Sequence, residues 1–215
     1  MLFDDTFQTL TQATEGQFRD RGSRFLAFAY PICTETEAKN RLDTLRHEHP
    51  KANHHCYAYR LGLDKNQYRV SDDGEPSGSA GRPILNTIYG QDQPGKPFTD
   101  VLVVVVRYFG GTLLGVPGLI NAYKMATADA LANAQRETRT VNEQYQISFG
   151  FEQMNAVMRI VKESGVKILN QSFDTQCTLV MEIRKTAAVS LTERFSNLPG
   201  VSVEWIDAPF SRNGG

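Results

Sequence analysis

The run Val101 to Val106 (VLVVVV) constrains this chain most. Residues of both parities are aliphatic, so a strand here must be buried on both faces. That demands packed layers above and below it. The run is far too short to span a bilayer. It ends in Arg107, Tyr108 and Phe109, followed by GGTLLGVPG, and it is preceded by DDGEPSGSAGRPIL. Glycine at this density lets backbone adopt positive φ or approach a ligand closely. Loops held by a rigid strand are where function usually sits. The segment predicts a surface groove with Asp72, Asp73 and Glu75 on one wall and Arg107 on the other.

Composition narrows the class. Lys plus Arg is 23 and Asp plus Glu is 24, a net charge of -1, divided evenly on either side of Thr140. Near-neutrality argues against tight non-specific nucleic-acid binding, which feeds on excess positive charge. No DNA sequence specificity is expected. Cys33, Cys56 and Cys177 are odd in number, widely spaced and without a CxxC pair, which fits a reduced cytosolic protein without disulfide or structural metal. The acidic start, MLFDDTFQTL, has no secretory pattern. The expectation is a cytoplasmic protein with no membrane association.

Along the chain, Leu2, Phe3, Phe7 and Leu10 fall near helical spacing and predict a short amphipathic lead-in. Arg24 to Ile32 reads as a strand closed by Pro31. Thr34 to His49 reads as a helix, with Thr34 as cap and Glu37 three residues on. His54 to Leu61 and Tyr68 to Ser71 read as strands joined by a turn at Gly62 and Asp64 to Asn66. Ser79 to Tyr89 predicts a helix with Pro83 near its start, and Leu119 to Gln135 a long one. Arg136 to Thr140 is polar and unpatterned and predicts a boundary. Beyond it the pattern is strand, helix, strand, strand, helix, strand, with Gly165 and Gly200 ending the helices. That order is the ferredoxin-like split βαβ.

The residue types carry several chemistries. Asp72, Asp73 and Glu75 are suited to hold Mg²⁺ through water or to act as acid and base. Equally, Asp-Gly builds a turn in which Asp caps amides and Gly74 supplies the unusual φ. Ser77, Gly78, Ser79 and Gly81 precede a helix, so their amides suit an anion, although the Walker lysine is missing. His54 and His55 point to opposite faces of a strand. One is expected to pack inside while the other lines the groove; either is a candidate proton carrier, and His55 is the one taken as a site residue. Arg107 offers a fork for phosphate or carboxylate, and Tyr108 a stacking face. Alternatively, Arg107 pairs with one of the three acids. Gly110 and Gly111 turn the loop toward the next helix.

SDDGEPSGSAGRPIL, VVVVRYFGGTLLG and GLINAY, with NHHCYAYR and SRFLAFAYPI before them, resemble the signature of the YigZ/IMPACT family. The resemblance is co-linear from about Gly22 to Tyr123. Pro117 and Asn121 depart from the residues usual there, Gly and Lys or Arg. The resemblance implies an α+β protein of two domains. Residues 1–139 would be an IMPACT-type domain with the left-handed βαβ fold of ribosomal-protein and elongation-factor domains. Residues 140–208 would be a ferredoxin-like domain similar to the last domain of elongation factor G, and 209–215 a disordered tail. It also implies a link to translation control. Eukaryotic members act on a starvation-sensing kinase through a further N-terminal domain that has no counterpart here, so that pathway is not carried over.

The combined expectation is a translation-linked regulatory or binding protein. It would engage RNA, a ribosome-associated component or a protein partner through Arg107, Tyr108, Ser77, Gly78, Ser79, Gly81, Gly110 and Gly111, without a resident cofactor. The alternatives are a Mg²⁺-assisted hydrolase or phosphotransferase using His55, Asp72, Asp73 and Glu75, and a protein–protein adaptor.

Overall fold

The computed structural model describes residues 5–63 and 65–206. It is a mixed α+β chain whose contacts divide into two compact units. Phe7–Thr138 forms one; the chain from Arg139 onward, with Asp5 and Thr6, forms the other.

The first unit is built on a five-stranded antiparallel sheet in the order β2-β3-β6-β4-β5. Its strands are β2 (Thr14–Asp20), β3 (Ser23–Pro31), β4 (His54–Arg60), β5 (Tyr68–Ser71) and the central β6 (Val101–Tyr108). The alternation in β6 explains the layers. Val101, Val103 and Val105 pack with Phe25, Ala27, Cys56 and Ala58 under α2 (Gly81–Tyr89) and α3 (Gly115–Ala132). Leu102, Val104 and Val106 pack on the other face against Ala38, Leu42 and Leu45 of α1 (Glu35–Glu48). Each fully buried aliphatic side chain contributes about 1.5–3 kcal/mol, so β6 is the energetic centre of this unit. At the start of α1, the Thr34 side chain accepts from the Glu37 amide at 3.1 Å, and Glu37 Oε2 accepts from the Cys33 amide at 2.7 Å. Helix α1 joins β3 to β4, which lie parallel on either side of β6.

The second unit holds an antiparallel sheet in the order β11-β8-β10-β9. The strands are β8 (Asn142–Phe149), β9 (Lys167–Phe173), β10 (Cys177–Arg184) and β11 (Ser202–Ile206), with α4 (Met154–Ser164) and α5 (Lys185–Ser196) between them. Ile147, Phe149, Leu179, Met181 and Ile183 form its core with Val157, Ile160, Leu191 and Phe195. Gly165 ends α4 in the left-handed region, φ 63°.

Three expectations change. Phe7 and Leu10 lie on a strand, β1 (Thr6–Leu10), not an amphipathic helical lead-in; Leu2 and Phe3 lie outside the described residues. The polar run at the expected boundary is also a strand, β7 (Arg136–Thr140), paired with β1. Helix α3 starts four residues earlier than Leu119, so Gly115 and Gly118 belong to its first turns. Asp64 of the predicted turn and the expected 209–215 tail lie outside the described residues. No helix among the described residues is long and apolar enough to cross a membrane.

Candidate functional site

The acidic segment after β5 forms a tight turn. The Glu75 amide bonds back to the Asp72 carbonyl at 2.9 Å, and the two central residues, Asp73 and Gly74, have φ of 42° and 87°. Asp-Gly is suited to such a turn because Gly has no Cβ to clash and Asp tolerates the left-handed region. The turn sends the three carboxylates in different directions.

Asp72 reaches the start of α2. Its Oδ1 accepts from the amides of Ala80 at 3.0 Å and Gly81 at 2.8 Å, and Oδ2 from the Gly78 amide at 2.8 Å. The amides that the SGSAG segment offers to an anion are therefore bonded to the chain's own carboxylate. Ser79 is buried, and its hydroxyl donates to the Pro76 carbonyl at 2.6 Å. Ser77 and Gly78 are exposed. Asp73 accepts from the His55 amide at 2.6 Å, with Arg46 3.5 Å away.

Glu75 points inward. Its Oε1 accepts from Arg107 Nη1 at 2.6 Å and from the Tyr123 hydroxyl at 2.7 Å, and both Glu75 and Arg107 are buried. The Arg107 guanidinium lies 5.4 Å from the ring centre of Phe25 and 5.5 Å from that of Phe109. Both distances are within cation–π range. Cys56 Sγ lies 3.3 Å from the Tyr123 hydroxyl and 3.0 Å from the Asp72 carbonyl. Burial raises the Cys56 thiol and the Tyr123 hydroxyl well above their ordinary values, so both stay protonated. Of the two readings of Arg107 in the sequence, the structure has the internal pair, and the acid is Glu75.

Register decides which histidine joins this cluster. His54 stands opposite Arg107 in the β4–β6 pairing and so shares its face. Its Nδ1 lies 2.8 Å from the Asp73 carbonyl, which can only accept; Nδ1 therefore carries hydrogen, and Nε2 faces Glu75 at 3.9 Å. His55, the residue singled out from sequence, is buried on the opposite side of the strand, and its Nε2 has no partner. Burial lowers the imidazole below its ordinary value, with Arg46 and His49 adding to this and Asp73 opposing it.

Tyr108 follows Arg107 and so faces the other layer. Its hydroxyl bonds His49 Nδ1 at 2.8 Å, and its ring packs beside the α1 core. Arg107 and Tyr108 do not converge on one ligand. Gly110 packs directly on the Gly22 backbone, where a Cβ would collide, while Gly111 (φ 87°) faces open space. Phe109, Gly110, Gly111 and Leu113 form an exposed loop, and Leu113 is 81% exposed. Among the described residues, no group of three or more His, Cys, Asp or Glu side chains is placed to hold a metal ion. Tyr123, Cys56 and His54 were missed as site members. The alternation His54, Cys56, Ala58 signals one shared face, but Tyr123 enters from a distant helix and has no local sequence signal.

Comparison with known proteins agrees with this architecture. The Impact N-terminal domain family matches residues 21–131. An IMPACT family member of Haemophilus influenzae is 32% identical over 81% of this chain and 85% of its own. The Escherichia coli IMPACT family member YigZ is 33% identical over 77% of this chain and 79% of its own. A crystal structure described as that of a hypothetical protein superposes with a TM-score of 0.69 at 26% identity, covering 94% of this chain and 98% of that one. With its glycine-rich segments arranged around a β6 buried on both faces, this chain belongs to the IMPACT family.

Proposed function

We propose that this IMPACT family chain is a translation-linked regulatory or binding protein acting in the cytoplasm. Its glycine-rich segments present a rigid surface to RNA, a ribosomal element or a protein partner. One observation carries the reading: the three carboxylates of those segments, and the Arg107 that faces them, are bonded within the chain. Asp72 holds three amides, Asp73 holds the β4 backbone, and Glu75 holds Arg107 and Tyr123. Groups so engaged fix loop shape. A general acid or base must instead reach the proton it transfers, and this weighs against the hydrolase or phosphotransferase reading. Ser77, Gly78, Phe109, Gly110, Gly111 and Leu113 are among the exposed members left to meet a ligand.

Two further features support the translation link. The β3-α1-β4 crossover around a central antiparallel strand suits the left-handed βαβ fold of ribosomal-protein and elongation-factor domains. The β-α-β-β-α-β unit suits the ferredoxin-like fold of the last domain of elongation factor G. The two are proposed to fold independently, with their boundary near residue 139.

Sedimentation of cell extract tests the reading. The protein is expected in ribosomal fractions, released by RNase or by raised salt. A protein that stays at the top of the gradient in low salt, and that turns over a phosphorylated or peptide substrate in a manner lost in Asp72→Asn, would replace binding with catalysis.

A further inference from the structure

Away from the Arg107 cluster, α2 and α3 leave an open groove of about 620 Å³ between them. Its walls are two rows of residues spaced four apart, which on a helix lie along one face. Arg82, Asn86 and Gly90 come from α2; Ile120, Lys124 and Ala128 come from α3. Gly90 and Ala128 leave space at one end. No Asp or Glu lines the groove, and neither Arg82 nor Lys124 has a carboxylate partner among the described residues. The α3 row continues backward to Val116, 45% exposed, and the loop before α3 carries Leu113, the most exposed large apolar residue of this unit. The surface is therefore an apolar strip leading into a groove with two unneutralised cations on its rims.

We infer that the α2–α3 groove docks an acidic amphipathic segment of a partner protein. Its apolar side chains would lie along Val116 and Ile120 while its carboxylates reach Arg82 and Lys124. The inference rests on the reading of this chain as a binding protein and names the partner class. Charge complementarity selects the occupant. A helix or extended segment with apolar residues three and four apart matches a wall of the same periodicity, and carboxylates match guanidinium and ammonium. RNA fits less well. Strand binding is built from many phosphate contacts and aromatic stacking faces, whereas the groove offers two cations and no ring on its walls. The nearby Tyr68 ring already lies beneath Arg82, 5.7 Å from its guanidinium.

The test uses the full chain and a display library of short peptides drawn from proteins of the host cell. It is selected on wild type and counter-selected on Arg82→Glu/Lys124→Glu. All three side chains involved are exposed, so the variants, including Ile120→Glu, are expected to keep the wild-type thermal transition, which is checked first. The enriched peptides should carry Asp or Glu among apolar residues spaced three and four apart. Ile120→Glu and the double charge reversal should each weaken the best peptide by about tenfold or more, and replacing its acids by Lys should restore binding to the charge-reversed protein. Enrichment of basic or unpatterned peptides, no enrichment, or unchanged affinity in the variants overturns the inference. So does a mixed-sequence single-stranded RNA that binds more tightly than any peptide and is lost in the charge reversal alone. Ribosomal co-sedimentation of the same variants separates the two readings: if it persists while no peptide binds, the groove assignment fails and the binding role stands.

Discussion

Glu75 is the residue on which the glycine-rich region turns. Its carboxylate is the shared acceptor for Arg107 and Tyr123 in a site almost closed to solvent. Removing one partner of a buried ion pair strands the other charge, at a cost of about 3–5 kcal/mol. Glu75→Gln is therefore expected to lower the denaturant midpoint severely. Glu75→Gln/Arg107→Gln should lose less than the sum of the single changes; full additivity would show that the pair is not coupled. The same geometry means that Arg107→Ala damages the fold before it tests any ligand contact. His55 gives a second prediction. Its folded imidazole is lowered from 6.5, chiefly by burial. Below its ordinary value the unfolded chain takes up the proton more readily than the folded one. Stability contributed here is thus fully present above about pH 6.5 and falls as pH drops through the window beneath it. A urea midpoint measured from about pH 7.5 to pH 5 should decline in wild type and decline less in His55→Gln; equal slopes would exclude His55 as a source of the decline.

At the scale of elements, Asp72 supplies the N-terminal capping of α2, since Ala80, at the N-cap position, has no side-chain bond to offer. Losing an N-cap acceptor costs about 0.5–2 kcal/mol, and three amides depend on this one. Asp72→Ala should speed hydrogen exchange at Gly78, Ala80 and Gly81 while leaving the β6 amides protected. Unchanged exchange at those three positions would mean that the loop holds itself. Elements with strong periodicity or a side-chain cap were legible in the sequence: β6 from its aliphatic run, α1 from Thr34 and Glu37. Those held by distant partners were not. Strand β7 is polar (RETRT) and exists because β1 pairs with it. Strand β2 alternates only weakly, and its Gly16 is required because the α3 backbone at Ala130 crosses directly over it. Helix α3 begins at Gly115 and Val116 with no capping side chain, so local signals placed its start too late. At the site, the turn chemistry of Asp73-Gly74 could be read locally. The choice of His54 over His55 needed the β4–β6 register, and Tyr123 needed the packing of α3.

For the whole molecule, the division of the chain does not follow its order. Asp5 and Thr6 group with the unit that begins at Arg139. Asp5 is buried, and its carboxylate accepts from Arg184 Nε at 2.8 Å, from the Thr186 amide at 2.9 Å and from the Thr186 hydroxyl at 2.8 Å. A fragment beginning after Thr138 therefore omits a residue that ties the end of β10 to the start of α5. Burial raises the Asp5 carboxyl, but the donors from Arg184 and Thr186 outweigh it, and the net value lies below the ordinary 3.8. The folded state thus holds a proton less readily than the unfolded one. The stability Asp5 contributes is present above its ordinary value and is lost as pH falls through the lowered folded value. Trp205, the single tryptophan, lies on β11 of the same unit and reports its unfolding by fluorescence. Asp5→Asn keeps the shape but removes the charge and one acceptor, a loss of about 1–3 kcal/mol for a buried charge-assisted group. The Trp205 transition should move to lower temperature at neutral pH and approach wild type in acid, while a probe in the unit Phe7–Thr138 stays in place. A Trp205 transition unmoved by the substitution would show that the second unit stands without Asp5, and a truncation after Thr138 would then be expected to fold as well as the intact chain does.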